Sequence, residues 1–153
     1  MARAVFGSLE ELARKVGQEV VVSDWLEVSQ DRIDRFAEAT GDHQWIHVDV
    51  ERARRESPFG APIAHGFLTM SLLSHFLNVS LEFGKSKMGV NYGFNRLRFT
   101  APVKAGSRLR TRFKLKEFQP IEGGVQMVWD IVMECEGEAK PVLVAEWVGR
   151  RYG

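Results

Sequence analysis

The chain has 153 residues, of which 44% are hydrophobic, and a formal net charge of +1. This length favours one domain, residues 1–153, with a core of its own. The balanced charge does not indicate nucleic acid or an anionic membrane as a partner. A lone cysteine, Cys135, excludes an intrachain disulfide and favours a cytoplasmic location.

The N-terminal third has signals of short, capped helices around one strand. Ser8 can cap a first helix that ends near Gly17. Residues 19–28 are rich in valine, which predicts a strand. Ser29 can cap a second helix, and Gly41 suits the left-handed turn past its end.

The middle of the chain predicts a charged helix from Asp49 to Glu56 and a long apolar helix over about 64–83. Between them, residues 57–62 hold two prolines and a glycine, which excludes regular structure there. Apolar residues lie on nearly every side of the long helix, which is typical of a helix inside a core. On this basis His75 is interpreted as a core histidine. No apolar run reaches the ~20 uninterrupted residues of a membrane span.

The last third is dominated by strands. Residues 108–116 and 125–136 alternate strictly between apolar and polar, the pair Gly123-Gly124 lies in the turn between them, and residues 141–151 supply a last strand. One outer face is basic and its neighbour acidic, so we interpret the charges as cross-strand ion pairs rather than as a phosphate site. Cys135 lies on an apolar face, which favours a buried thiol.

Together these elements predict an α+β hot-dog fold, in which one antiparallel sheet wraps around one long buried helix. An open edge strand in such a sheet invites pairing with a second chain. We therefore expect a homodimer, and no membrane or nucleic-acid partner.

The segment from Ala39 to Asp49 reads Ala-Thr-Gly-Asp-His-Gln-Trp-Ile-His-Val-Asp, and it places a carboxylate, Asp42, five residues before an imidazole, His47. It resembles the hydratase motif of the MaoC-like (R)-specific enoyl-CoA hydratases, and most closely their NodN-like branch. Residues 63–67 and 91–99 resemble other segments of that family. Many members have Asn-Pro where this chain has Gln44-Trp45.

The resemblance implies a hydratase and dehydratase that adds water reversibly to trans-2-enoyl thioesters, such as enoyl-CoA, to give (R)-3-hydroxyacyl thioesters. Asp42 and His47 would activate the water, acting as base and then acid. The N–H of Gly66 would stabilise the negative thioester oxygen of the enolate intermediate. Ser74 would orient the Asp42 carboxylate, and His65 would contact the substrate or shape the turn.

Other functions remain open at this stage. His43 and His47 have the spacing of a zinc-binding helix, but Gln44 stands where the base of a metalloprotease would lie, and Trp45-Ile46 does not favour a helix. We therefore expect no metal and no cofactor. A thioesterase on the same fold, or a non-catalytic protein that binds acyl thioesters, are the alternatives.

Overall fold

In a computed structural model, which describes residues 3–84 and 86–153, one helix packs against a six-stranded sheet. The helices are α1 (Leu9–Ala13), α2 (Gln30–Thr40), α3 (Trp45–Val48), α4 (Val50–Glu56) and α5 (Gly66–Ser80). The strands are β1 (Ala4–Phe6), β2 (Glu19–Val22), β3 (Leu26–Val28), β4 (Leu81–Phe83), β5 (Met88–Phe99), β6 (Ser107–Ile121), β7 (Gly124–Cys135) and β8 (Leu143–Tyr152).

The sheet has the strand order β2-β6-β7-β8-β5, and β3 pairs with β6 beside β2. Every pairing within it is antiparallel, whereas β1 and β4 form a separate parallel pair. The predicted hot-dog arrangement is confirmed. Because β5 has a neighbour on one side only, its twelve residues form a long open edge.

The predicted N-caps and the Gly41 C-cap are present, whereas α1 ends at Ala13, before the predicted end near Gly17. Ser8, Ser29 and Asp49 each accept a hydrogen bond from the backbone N–H three residues on, and they begin α1, α2 and α4. Gly41 follows α2 with a φ of 77°, a left-handed conformation that glycine adopts at little cost. These ends were predictable because each depends on neighbouring residues only.

The strand predicted for residues 19–28 is two strands, β2 and β3, and both pair with β6. At the break, Ser23 N–H donates to the Thr111 carbonyl at 2.9 Å, and its Oγ accepts from Thr111 N–H at 2.8 Å. A serine side chain therefore replaces a backbone carbonyl in the ladder, which lets the chain bend without losing a bond.

The central helix is shorter and less enclosed than its sequence predicts. Its first residue is Gly66, because the preceding residue His65 has an extended backbone with a ψ of 140°; Ala64 N–H bonds the Val103 carbonyl. It ends at Ser80, where the next residues pair with β1. One side packs on the sheet, but the opposite side is open: Phe67 is 65% exposed, and His75, interpreted as a core histidine, is exposed.

The outer face of the sheet carries the predicted cross-strand ion pairs. They join Arg108 to Glu136, Arg110 to Glu134 and Arg112 to Glu134, at 2.9, 3.1 and 2.8 Å. The opposite face is apolar, and Cys135 is buried there as predicted. None of the helices within the described residues is long and apolar enough to cross a membrane.

Candidate active site

Two segments that lie far apart in the sequence are joined by main-chain atoms of Ile63. Its N–H donates to the Ile46 carbonyl at 3.0 Å, and its own carbonyl accepts from Nδ1 of His47 at 2.7 Å. The irregular, proline-containing stretch before it lets the chain return to this position. The motif around His47 is thus fixed against the residues that lead into α5.

The segment from Asp42 to His47 is a loop followed by one helical turn. Asp42 Oδ1 accepts from Gln44 N–H at 3.3 Å, an Asx-turn that shapes the loop. The turn α3 then begins at Trp45, so the expectation that this residue is not helical was wrong. Contacts with other elements override the weak helix propensity of Trp45 and Ile46. The Arg52 guanidinium of α4 lies 4.2 Å from the centre of the Trp45 ring, and the Gln30 side-chain amide of α2 donates to the His47 carbonyl at 2.8 Å.

His47 has the protonation state that a general base needs. A carbonyl can only accept, so Nδ1 carries the proton that bonds Ile63, and Nε2 of the neutral ring keeps its lone pair. The side chain is buried, and burial lowers its pKa below the usual 6.5. The Ile63 bond and the Asp42 charge oppose this shift, while His65 adds to it.

His65 is the residue that connects Asp42 with His47. It is 2% exposed, and its ring stacks on that of His47 at 3.9 Å, with 26° between the planes. Its Nε2 donates to the Asp42 carbonyl at 3.0 Å, which leaves Nδ1 without a hydrogen-bond partner in the described residues. No local sequence signal predicts this stack, because it joins two segments through the fold.

One ligating atom each from Asp42, His47 and His65 lies within 4.8 Å of the other two. Three protein ligands are the number found in catalytic zinc sites. However, a histidine lone pair lies in the plane of its ring, and these two planes are stacked 3.9 Å apart between centroids at 26°, which is unfavourable for binding one ion. We interpret the cluster as a site for proton transfer. His43 lies outside it, beside Glu38 at the surface.

Gly66 follows His65 directly and opens α5. The N–H groups of a first helical turn have no partner inside the helix, and the helix dipole favours negative charge at this end. A cavity of about 400 Å³ lies beside it, lined also by Ile63, Thr69 and Phe99. A Cβ placed at Gly66 would lie 3.0 Å from the Phe99 ring, so only glycine leaves this approach open.

Ser74 lies apart from this cluster within the chain. Eight residues at 1.5 Å each separate it from Gly66 by roughly 12 Å along α5. It lines two other cavities, of about 240 and 150 Å³, both shared with Asn91 and Trp147. Its predicted contact with the Asp42 carboxylate therefore stays a prediction, as does the contact of His65 with a substrate.

The family model, the similar sequences and the similar structures agree on one group of proteins. Residues 11–133 match the family model described as "MaoC like domain". Nodulation protein N of Rhizobium leguminosarum bv. viciae is 49% identical over 145 residues, covering 92% of this chain and 89% of the relative. The 3-hydroxyacyl-thioester dehydratase Z of Mycobacterium tuberculosis is 44% identical over 146 residues, covering 95% and 96%. The R-hydratase PhaJ1 from Pseudomonas aeruginosa superposes with a TM-score of 0.68 and 27% identity, covering 88% of this chain and 79% of that one.

Proposed function

The chain belongs to the family of MaoC-like dehydratase domains, and we propose that it reversibly hydrates trans-2-enoyl thioesters to (R)-3-hydroxyacyl thioesters. The predicted enzyme class, hydratase and dehydratase, is confirmed by the relatives with those names. The proposed substrate and mechanism rest on the cluster of Asp42, His47 and His65, in which His65 directly precedes the first residue of α5. Coenzyme A is the carrier we propose, in the cytoplasm, with no metal or cofactor.

In the proposed mechanism one water lies between Asp42 and His47. Nε2 of His47 takes a proton from it while its oxygen bonds the β-carbon of the enoyl thioester. The Asp42 carboxylate accepts a hydrogen bond from the second hydrogen, which stays on the oxygen as the product hydroxyl, and it stabilises the imidazolium. His47 then returns its proton to the α-carbon on the same face, which completes a syn addition and restores the neutral base.

Negative charge develops on the thioester oxygen during this sequence. The N–H of Gly66 is proposed as its hydrogen-bond donor, with the dipole of α5 behind it. His65 keeps both partners of the water in place, because it bonds the Asp42 backbone and stacks on His47. This assignment makes His65 a positioning residue rather than one that touches the reacting atoms.

The proposed assembly is a homodimer formed at the open edge of β5. Met88, Val90 and Tyr92 on that strand are all exposed, and so is Phe67 on the open side of α5. An unpaired strand of this length exposes a row of backbone donors and acceptors that a second copy can satisfy. Sedimentation velocity should give a dimer, and Val90→Pro, which removes one backbone donor, should shift it toward monomer.

The test of the function is the loss of enoyl absorbance when the protein is added to crotonyl-CoA. We expect wild type to reach an equilibrium mixture, and Asp42→Asn and His47→Ala each to lower kcat by at least the ~10²–10⁴-fold typical of general acid–base groups. His43→Ala, the neighbouring exposed histidine, is the matched control and should stay near wild type. Unchanged rates in both site variants would refute the mechanism.

The same assay separates the alternatives. A thioesterase releases free thiol from crotonyl-CoA, which a thiol reagent detects, whereas hydration leaves the thioester intact. A non-catalytic binder gives neither signal. Dialysis against a chelator should leave the rate unchanged. If the rate is lost and Zn²⁺ restores it, the proposal that the reaction needs no metal is wrong.

A further inference from the structure

An arginine ends the row of β8 side chains that face the core. The row runs Leu143, Ala145, Trp147, Gly149 and Arg151. Arg151 pairs across the sheet with Val125, and Gly149 pairs with Met127. Directly opposed residues share a face, and Val125 and Met127 are buried. Arg151 therefore extends toward the core, on the face of the sheet opposite to the arginines of β6.

The guanidinium of Arg151 has no carboxylate within 4 Å in the part of the chain that the structure describes. Its recorded contact is with the ring of Phe83, 4.1 Å away. Partial burial lowers its pKa, which means that removal from water is not offset by an opposite charge. By contrast, Arg108, Arg110 and Arg112 on the outer face each reach a carboxylate.

Arg151 borders the cavity of about 240 Å³ between the second half of α5 and this end of the sheet. Two glycines leave room for it. Gly149 contributes no side chain to the core-facing row, and a Cβ placed at Gly89 would lie 2.7 Å from Cζ of Arg151. The space beside the guanidinium therefore depends on residues that lack side chains.

The other polar groups of this cavity can donate hydrogen bonds. Asn91 Oδ1 accepts from Nε1 of Trp147 at 3.0 Å, which leaves its amide NH₂ available. Ser74 and Asn78 face the cavity from α5, and neither side chain has a hydrogen-bond partner in the described residues. No Asp or Glu is among the described residues that line it. Arg150 also borders the cavity, but its Nε donates to Gln126 and its guanidinium lies over the Tyr92 ring. The cavity thus combines one inward cation, Arg151, with free donors and no negative charge in the described lining.

We propose that this cavity binds a carboxylate. The planar fork of a guanidinium matches two carboxylate oxygens, and Asn91 and Ser74 can satisfy their remaining lone pairs. The carboxylate has two possible sources: the far end of the acyl chain of the thioester substrate, or a small free acid. The first source rests on the proposed hydratase function, and the second does not.

The experiment compares two medium-chain trans-2-enoyl-CoA substrates of equal length, one ending in a carboxylate and one in a methyl group. Arg151→Met should lower kcat/KM for the carboxylate-ended substrate by about 10- to 100-fold, as for a lost hydrogen bond between charged groups. The rate with the methyl-ended substrate should stay within about twofold. Arg151→Lys keeps the charge without the fork and should fall between, while Arg14→Met, at an exposed position, is the control.

A second arm uses calorimetry with adipate as a free dicarboxylate. Binding to wild type that disappears in Arg151→Met, together with no preference between the two thioesters, assigns the cavity to a free acid. Equal effects of Arg151→Met on both thioesters, with no adipate binding, would overturn the proposal. So would dissociation of the dimer in Arg151→Met with unchanged ligand preference, because the arginine would then pair with a second subunit.

If Arg151→Met fails to fold, Gly89→Ala displaces the guanidinium while keeping its charge, and the same comparison applies. If wild type turns over neither thioester, the proposed hydratase function fails, and the adipate arm still decides whether the cavity binds a carboxylate.

Discussion

The polar groups near the two ends of α5 differ in whether they have partners within the protein. At the first turn, His65, His47 and Asp42 are held by hydrogen bonds to backbone atoms and by ring stacking. In the second half, Ser74 and Asn78 face a cavity whose one inward cation, Arg151, has no carboxylate partner in the described residues. Fixed groups suit a reaction that requires one geometry, whereas solvent-exposed groups such as Ser74 and Asn78, which have no protein partner among the residues described, are free to bind a ligand. We therefore expect changes at the first end to affect every substrate, and changes at the second to affect which substrate is used.

After the loss of Asp42 or His47 themselves, the largest effect expected at the first end comes from Gly66→Ala. The added methyl group would lie 3.0 Å from the Phe99 ring and would crowd the approach to the N–H. We expect kcat to fall by ~10²–10³-fold, the usual cost of losing an oxyanion donor, for methyl-ended and carboxylate-ended substrates alike. Gly7→Ala, where a Cβ meets only the flexible Glu11 side chain, is the control. A loss confined to one substrate would contradict the comparison.

A smaller loss is expected from His65→Leu. Leucine keeps an apolar side chain in the buried position but cannot bond the Asp42 carbonyl or stack on His47. A shift of catalytic groups by a fraction of an ångström makes a roughly 10- to 100-fold fall in kcat reasonable. The pH profile should move as well, because His65 lowers the pKa of His47. His75→Leu, at the exposed histidine of α5, should change neither rate nor profile.

The pH dependence of wild type should report the neutral state of His47. Burial lowers its pKa below 6.5, so the acidic limb of kcat/KM should lie below that of an ordinary histidine. Between the folded and the unfolded pKa the unfolded chain binds more protons, so the free energy of unfolding rises with pH up to about 6.5 and is lost as pH falls. Urea unfolding at pH 5 and 7 measures this. His47→Gln should flatten the difference in part, since the pKa of His75, although that ring is largely exposed, is also lowered by partial desolvation and by the charge of Arg32.

The smallest effect is expected on the outer face of the sheet. Arg112→Met removes contacts with Glu134 and Glu19. Partly exposed ion pairs contribute about 0.2–1 kcal/mol, so the free energy of unfolding should fall by no more than this, with kcat unchanged. Arg151→Met provides the contrast, since it breaks no ion pair recorded in the described residues. A larger loss of stability in Arg151→Met than in Arg112→Met would show that Arg151 has a structural role.

The sequence predicts the features that depend on local signals. The caps at Ser8, Ser29 and Asp49, the alternating strands and the helix that begins beside Gly66 follow from short-range patterns. The family motif also brought Asp42 and His47 together on one segment. Three features could not be predicted from the sequence because they depend on packing between distant residues. They are the stacking of His65 on His47, the break between β2 and β3 at Ser23, and the exposed side of α5 at His75.

The same limit applies to Arg151. In the sequence it is one of two adjacent arginines, Arg150 and Arg151, and only its pairing with the buried Val125 shows that it extends inward. Helical periodicity misled in the same way, because an apolar surface on every side of α5 predicts burial by the chain's own sheet. The structure leaves one side open, where a second copy is proposed to pack.

The connection at Ile63 is made by main-chain atoms, so it survives any change of side chain at that position except proline, which has no N–H to donate. Ile46 contributes only its carbonyl, which every residue type, proline included, retains. Libraries that randomise Ile63, which lines the cavity beside Gly66, should therefore change the shape of that cavity while His47 keeps its bond to the Ile63 carbonyl. Ile63 is thus a practical position at which directed evolution could alter the proposed acyl preference.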